Sequence, residues 1–291
     1  MVVGKKMQSD RTPGPATALL RGEQPGSSCL VMTGTSGYSY LEWVDSGFYP
    51  PGTKSAAMLE FYGRSFSVVE LNYTWYQMAR SDVLSRMLAA APAHIIFAAK
   101  LTRTVTHERE EDWREQVQRY RQGICALGRR LAAILVQLPP DFDRTIANRR
   151  FLAELLDYLQ GMPVAVEFRH ASWAVDPVFV ELERRQVTLV SVDEPNLPGL
   201  FPRLDVVTNP ALFYVRFHGR NEKGWQNGNM QKKFDYDYSE QELRQWCEHE
   251  LGSLSRRARR GIIFFNNPVR AQAPRNALLL DSLISRKAGR G

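Results

Sequence analysis

Eight short apolar runs, each of strand length, recur along the sequence: Leu30 to Thr33, Val68 to Leu71, Ile95 to Ala99, Ala133 to Gln137, Val164 to Phe168, Thr188 to Val192, Leu212 to Phe217 and Gly261 to Phe265. They return about every 33 residues, the length of a strand, a helix and two loops. Most intervals carry a helical apolar pattern, over 55–64, 81–90, 112–130, 147–160, 176–186 and 239–259. Ser81-Asp82, Asp176-Pro177 and Ser239-Glu240-Gln241-Glu242 supply helix-start signals. The interval 194–210 holds four prolines and reads as an irregular crossover. Eight strands alternating with helices predict a single-domain α/β fold, a closed (β/α)8 barrel of the TIM type. The competing fold, a doubly wound open sheet, lacks its Gly-rich phosphate loop after the first strand.

Charge needs a closer reading. The net charge is +7 and the pI about 9.4, which invites a nucleic-acid partner. Residues 1–28, rich in Gly, Pro, Ser and Thr, read as a flexible extension and carry +2, while the basic tail 286–291 carries +3. Only +2 remains on the barrel domain, 29–285. No run approaches the roughly 20 apolar residues of a membrane span, and the first 30 residues lack the apolar core of a secretory signal. Cys29, Cys125 and Cys247 share no metal-ligand or disulfide spacing, so the cytosol is the expected compartment.

In such a barrel the active site lies at the C-terminal ends of the strands. Period-two alternation puts Glu70 and Asn72 on one face of strand two, and it brings Lys100 to the end of strand three and Gln137 to the end of strand four. Glu167 and Arg169 end strand five, Ser191 and Asp193 strand six, Tyr214, Arg216 and His218 strand seven, and Asn266-Asn267 strand eight. Loops beyond them add Ser36 and Tyr38, His107, His170 with Trp173, and Arg220 with Trp225. Buried charges cost several kcal/mol unless paired. A structural ion-pair network, for example Glu167 with Arg169 or Arg216, accounts for any one of these residues. The convergence of the whole set on one rim points to a ligand site. The long loop Gly219 to Tyr238, with Trp225 and Lys232-Lys233, is placed to close over a substrate.

The same segments resemble the YecE-like family, also called domain of unknown function 72, from about residue 32 to 280. The motifs are Gly34-Thr35-Ser36-Gly37-Tyr38 with Trp43, Glu70-Leu71-Asn72 with Trp75-Tyr76, and Lys100 with Thr106-His107. Further on come Gln137-Leu138-Pro139-Pro140, Val166-Glu167-Phe168-Arg169-His170, Tyr214-Val215-Arg216-Phe217-His218-Gly219-Arg220, and Asn266-Asn267 with Asn276-Ala277. The resemblance implies a TIM-type barrel and no established activity. Tyr38 stands where the family usually has Trp, and Pro268 where a histidine or aromatic is more familiar.

These residues suggest an enzyme acting on an anionic, phosphorylated substrate, with hydrolysis as the expected reaction. Lys100, Arg169, Arg216 and Arg220 would hold the anion, and Tyr38 and the tryptophans would wall the pocket. Ser36, Asn72, Gln137, His170, Asn266 and Asn267 complete the binding set. Glu70, Glu167 and Asp193 are general-base candidates, and His218 or His107 general-acid candidates. No cofactor signature is evident. A divalent metal on His170, Glu167, Asp193 and His218 is disfavoured by the positive charge of Arg169 and Arg216 beside it. A nucleic-acid-binding or repair-type phosphodiesterase barrel competes through the loop aromatics and basic tails. The cluster Arg256 to Arg260 precedes strand eight, however, and so belongs at the opposite barrel end. A glycosidase ranks lower because strands four and seven offer Gln137 and His218 instead of a carboxylate pair. A barrel that binds without catalysis is also compatible with these residue types.

Overall fold

The structure, a computed structural model, describes residues 29–227 and 229–288. Eight parallel strands form one sheet: β1 (Leu30–Thr35), β2 (Val68–Leu71), β3 (Ile96–Lys100), β4 (Leu131–Gln137), β5 (Val164–Glu167), β6 (Thr188–Asp193), β7 (Phe213–Phe217) and β8 (Arg260–Phe265). Their order is β1-β8-β7-β6-β5-β4-β3-β2, and every hydrogen-bonded neighbour pair is parallel. The result is a nearly closed (β/α)8 barrel.

The ring closes between β1 and β2 by a different device. The Tyr62 hydroxyl accepts from the Thr35 N–H at 2.9 Å and donates to the Val68 carbonyl at 3.0 Å. The Gly37 N–H donates to the Glu70 carbonyl at 2.8 Å. Gly34 allows the approach, since a Cβ there would lie 2.2 Å from the Val68 carbonyl oxygen.

Alternation sorts each strand into two faces. On β7, Phe217 packs against Tyr238 and Trp246 outside the barrel. Tyr214 and Arg216 point inward and reach Glu70 on β2, across the ring. Because strands of a barrel are covered on both faces, they read as nearly continuous apolar runs interrupted only where a polar side chain faces the site.

Helices fill the intervals as the periodicity predicts, with breaks that the sequence pattern did not resolve. The helix expected over 112–130 is Trp113–Ile124 followed by a 3₁₀ turn, Cys125–Arg130, kinked at Gly128 with φ 51°. The one expected over 239–259 divides at His249 into Glu240–Glu248 and Glu250–Arg257. Residues 194–210 form neither helix nor strand. The loop after β7 carries two short helices, Glu222–Asn227 and Met230–Lys233. The extension expected over 1–28 lies outside the described residues. The boundary expected at 285 falls inside the helix Gln272–Ala288, where Lys287 donates to the Cys247 carbonyl, so the described part of the basic tail belongs to the fold. No described helix is long and apolar enough to cross a membrane.

Candidate functional site

An ion-pair lattice fills the C-terminal end of the barrel. Arg216 donates twice to Glu70, from Nε to Oε2 at 2.9 Å and from Nη2 to Oε1 at 2.7 Å, and from Nη1 to Glu167 Oε2 at 2.7 Å. Ser36 and Tyr214 hydroxyls donate to the other sides of Glu70 at 2.6 and 2.5 Å. Arg169 Nε stands 2.6 Å from Glu167 Oε1, and its Nη1 donates to Glu194 Oε2 at 2.9 Å. Burial opposes the charge on Glu167, but Arg169 and Arg216 outweigh it and hold the carboxyl well below its usual range. Glu70, Glu167 and His218 are fully buried. They form the floor of the site.

His218 is held from both sides: Arg169 Nη2 lies 3.0 Å from its Nε2, and the Asn266 amide 3.1 Å from its Nδ1. Glu167 Oε1 also stands 3.3 Å from Nε2, so a guanidinium and a carboxylate share that nitrogen. Burial and Arg169 push the His218 pKa well below its ordinary value, which keeps the imidazole neutral.

Above this floor lies a cavity of about 380 Å³, lined by Tyr40, Asn72, Trp75, Tyr76, Lys100, His107, Gln137, Pro140, Arg169, Arg216, Lys233, Phe234, Asn266 and Pro268. Four cations share the wall, and no carboxylate does among the described residues. Lys100, at the end of β3, lies with its Nζ 4.6 Å above the centre of the Trp75 ring. Burial, with Arg216 beside it, pulls its pKa down to about 7. The attraction of an indole face for an ammonium is worth about 0.5–2 kcal/mol. At about 1.4 kcal/mol per pKa unit, that is too little to restore an ordinary lysine. Lys233 comes from the loop after β7, with Nζ 3.8 Å above the Trp225 ring. Burial and Arg169 lower its pKa to about 8.

His107 packs edge-on against Trp75, with centroids 5.1 Å apart. Burial and Lys100 push its pKa down to about 4. Thr106 donates its hydroxyl proton to the Thr102 carbonyl at 3.2 Å and stands 2.8 Å from His107 Nδ1. That hydroxyl fixes the orientation of the ring. His107 is thus a neutral imidazole near pH 7, not the protonated acid expected from the sequence. Glu194, behind Arg169, is the converse case: burial raises its pKa to about 7.

Seven of the expected binding or catalytic residues line the cavity: Asn72, Lys100, His107, Gln137, Arg169, Arg216 and Asn266. Ser36, Glu70, Glu167 and His218 lie beneath it. The others are placed elsewhere. Trp173, expected as a wall, is stacked between Phe142 and Phe168 in the outer core. His170 accepts from the Ser172 N–H and caps a short turn. Tyr38 packs on Tyr62, and Asn267 ties the Tyr236 carbonyl to Asn276. Asp193 takes four donors, two from Arg220 and one each from Tyr238 and Trp246, and bolts the β7 loop to β6. Trp225 lies behind Lys233 and Arg169. No group of three His, Cys, Asp or Glu residues is arranged to hold a metal among the described residues.

Sequence reasoning missed Tyr40, Tyr76 and Phe234 as wall residues, and it reached Trp75 only among the tryptophans at large and Lys233 only as part of the loop 219–238. Trp75-Tyr76 sit a few residues beyond the end of β2, outside the window of strict alternation. Lys233 sits in a long loop whose path only the fold supplies.

The sequence matches the family described as "Protein of unknown function DUF72" over residues 32–290. It is 29% identical over 243 residues to UPF0759 protein YunF of Bacillus subtilis (strain 168), covering 77% of this chain and 86% of that protein. Among solved structures, a DUF72 family protein of Thermotoga maritima MSB8 superposes with a TM-score of 0.80 at 34% identity, over 88% of this chain and 99% of that one. A DUF72 family protein of Enterococcus faecalis V583 gives 0.78 at 25% identity, over 88% and 96% of the two chains.

Proposed function

The chain belongs to the DUF72 family, whose name assigns no activity, and we propose that it is an enzyme acting on a compact anionic substrate, best a phosphorylated one, bound in the cavity above the ion-pair floor. The observation that carries this reading is the wall itself, with Lys100, Arg169, Arg216 and Lys233 facing the space and no described carboxylate among them. Glu70 and Glu167 neutralise much of the guanidinium charge from below. The recruitable positive charge therefore rests on the two lysines, with pKa values of about 7 and 8. Tyr40, Trp75 and Phe234 supply apolar walls for the rest of a small molecule.

The catalytic roles shift accordingly. The oxygens of Glu70 and Asp193 are engaged by several donors each, two guanidinium groups hold Glu167 well below its usual range, and none of the three lines the cavity. Hydrolysis driven by these carboxylates loses its support, and so does a glycosidase. Lys100, neutral above about pH 7 and open to the cavity, is the best-placed proton acceptor, with His107 beside it. A cavity of this size suits a small anion better than a polymer.

An approaching anion raises the pKa of a neighbouring amine, so binding takes up a proton. Calorimetry with inorganic phosphate, in buffers of different ionisation heat, is expected to show proton uptake at pH 8. Affinity should fall by up to about tenfold per pH unit above the Lys233 pKa. Lys233→Gln and Arg169→Gln should each weaken phosphate by about tenfold, the worth of one charge-assisted hydrogen bond. Phosphate binding that neither variant alters would overturn the assignment of the site.

A further inference from the structure

We propose that Lys100 is a nucleophile that condenses with the carbonyl carbon of an anionic aldehyde or ketone to form an imine. This rests on the anion reading above and names the reacting group of the substrate.

The geometry has three parts. Lys100 projects from the last position of β3, a fixed strand end, into the cavity. Its Nζ makes no hydrogen bond or ion pair with any described residue and lies against an indole face. The charged groups around it are Arg216 and Arg169, which disfavour its protonation, and Glu70 and Glu167, which favour it but are themselves held by those arginines.

The cavity also has two ends. Arg169 and Lys233 both stand over the Trp225 ring, at 5.6 and 3.8 Å, and so mark one anion-holding side. Lys100 and His107 both flank Trp75 and mark the other. A phosphate or carboxylate held at the first side directs the remainder of a short molecule toward the amine. In the wall near Lys100, Asn72 Oδ1 and Trp75 Nε1 are buried without hydrogen-bond partners.

In the reaction, the Nζ lone pair adds to the carbonyl carbon. An amine proton passes to the carbonyl oxygen, giving a carbinolamine, and His107, which shares the Trp75 ring with Lys100, is the neighbouring group to relay it. Loss of one water, carrying the former carbonyl oxygen, leaves the C=N bond. The step consumes no oxidant or reductant. The mixed environment explains why the amine is not ion-paired: a carboxylate on Nζ would keep it protonated and inert as a nucleophile.

The test uses the full chain with pyruvate, glyoxylate and dihydroxyacetone phosphate as probes, each trapped with sodium cyanoborohydride and read by intact and peptide mass. Expected is one adduct per chain, at the mass of a probe less one oxygen, mapped to Lys100 in preference to the seven other lysines. Its rate should reach half its maximum near pH 7. Lys100→Arg should abolish the adduct, Lys54→Arg at an exposed site should leave it unchanged, and circular dichroism should show both variants folded. Adducts spread over surface lysines, an adduct on Lys233 instead, or none with any probe while phosphate still binds, would overturn the imine and leave the anion site standing. Loss of phosphate binding in the unmodified protein would instead remove the reading on which the proposal rests.

Discussion

Arg216 joins two carboxylates at full burial, and its worth is set by what its loss would leave behind. Removing one partner of a buried ion pair strands the other's charge, at about 3–5 kcal/mol. Arg216→Met should cost stability in that range by urea denaturation. Glu70→Gln should cost less, because the hydroxyls of Ser36 and Tyr214 still have an amide to bond. Equal losses would mean that the lattice does not act through charge. Lys100 makes a prediction of opposite sense. Its folded pKa, about 7, lies below the 10.5 of an ordinary lysine, so between those values the unfolded chain binds the extra proton. Stability therefore rises with pH across that window, by at most about 1.4 kcal/mol per pH unit. Lys100→Met, compared with the parent by chemical denaturation from pH 6 to 10, should flatten this rise, and parallel curves would contradict the lowered pKa. The sequence made the residue types legible, since strand alternation alone brought Glu70, Glu167 and Arg216 to one end. It did not say which of them face the ligand and which lie beneath it. That distinction depends on cross-barrel distances, and a period of two carries no information about them.

The elements were legible to within a residue or two where an apolar run ended in a polar side chain, as at Lys100 and Gln137. Legibility failed where a side chain's partner came from a distant loop. Trp173 follows a strand end and so looked like a pocket wall, yet Phe142 and Phe168 provide parallel faces and the Phe142 carbonyl accepts from its indole N–H at 2.7 Å. The seam between β1 and β2 was invisible for a related reason. No pattern marks Tyr62, on the helix Ser55–Tyr62, as the residue that finishes the sheet. Its hydroxyl replaces a backbone ladder bond at a fully buried position. Tyr62→Phe leaves a buried N–H and a buried carbonyl short of a partner, at about 1–3 kcal/mol. Hydrogen exchange should locate the damage, with the Thr35 amide losing protection before the amides of β5 and β6. Uniform loss of protection around the ring would show that the hydroxyl does not close a local seam.

For the molecule as a whole, the distribution of charge decides what kind of anion it meets. Of the net +7, +2 lies in residues 1–28 and +3 in residues 286–291. The arginines from 256 to 260 end one helix and begin β8, at the opposite end of the barrel from the cavity. A polymer and a small anion would therefore be held by different parts of the chain. Each phosphate neutralised on a single strand contributes about 0.7 to the slope of log affinity against log salt. If residues 1–28 carry nonspecific contacts through Lys5, Lys6, Arg11 and Arg21, deleting them should make that slope shallower by up to about 3. The affinity of the cavity for inorganic phosphate should not change. Fluorescence anisotropy with a short oligothymidine over a salt series, paired with phosphate calorimetry on the same truncated protein, separates the two. An unchanged slope would place polymer binding on the barrel itself. A fall in both affinities would mean that the extension reaches the cavity, and the near-neutral barrel could no longer be treated as the whole site.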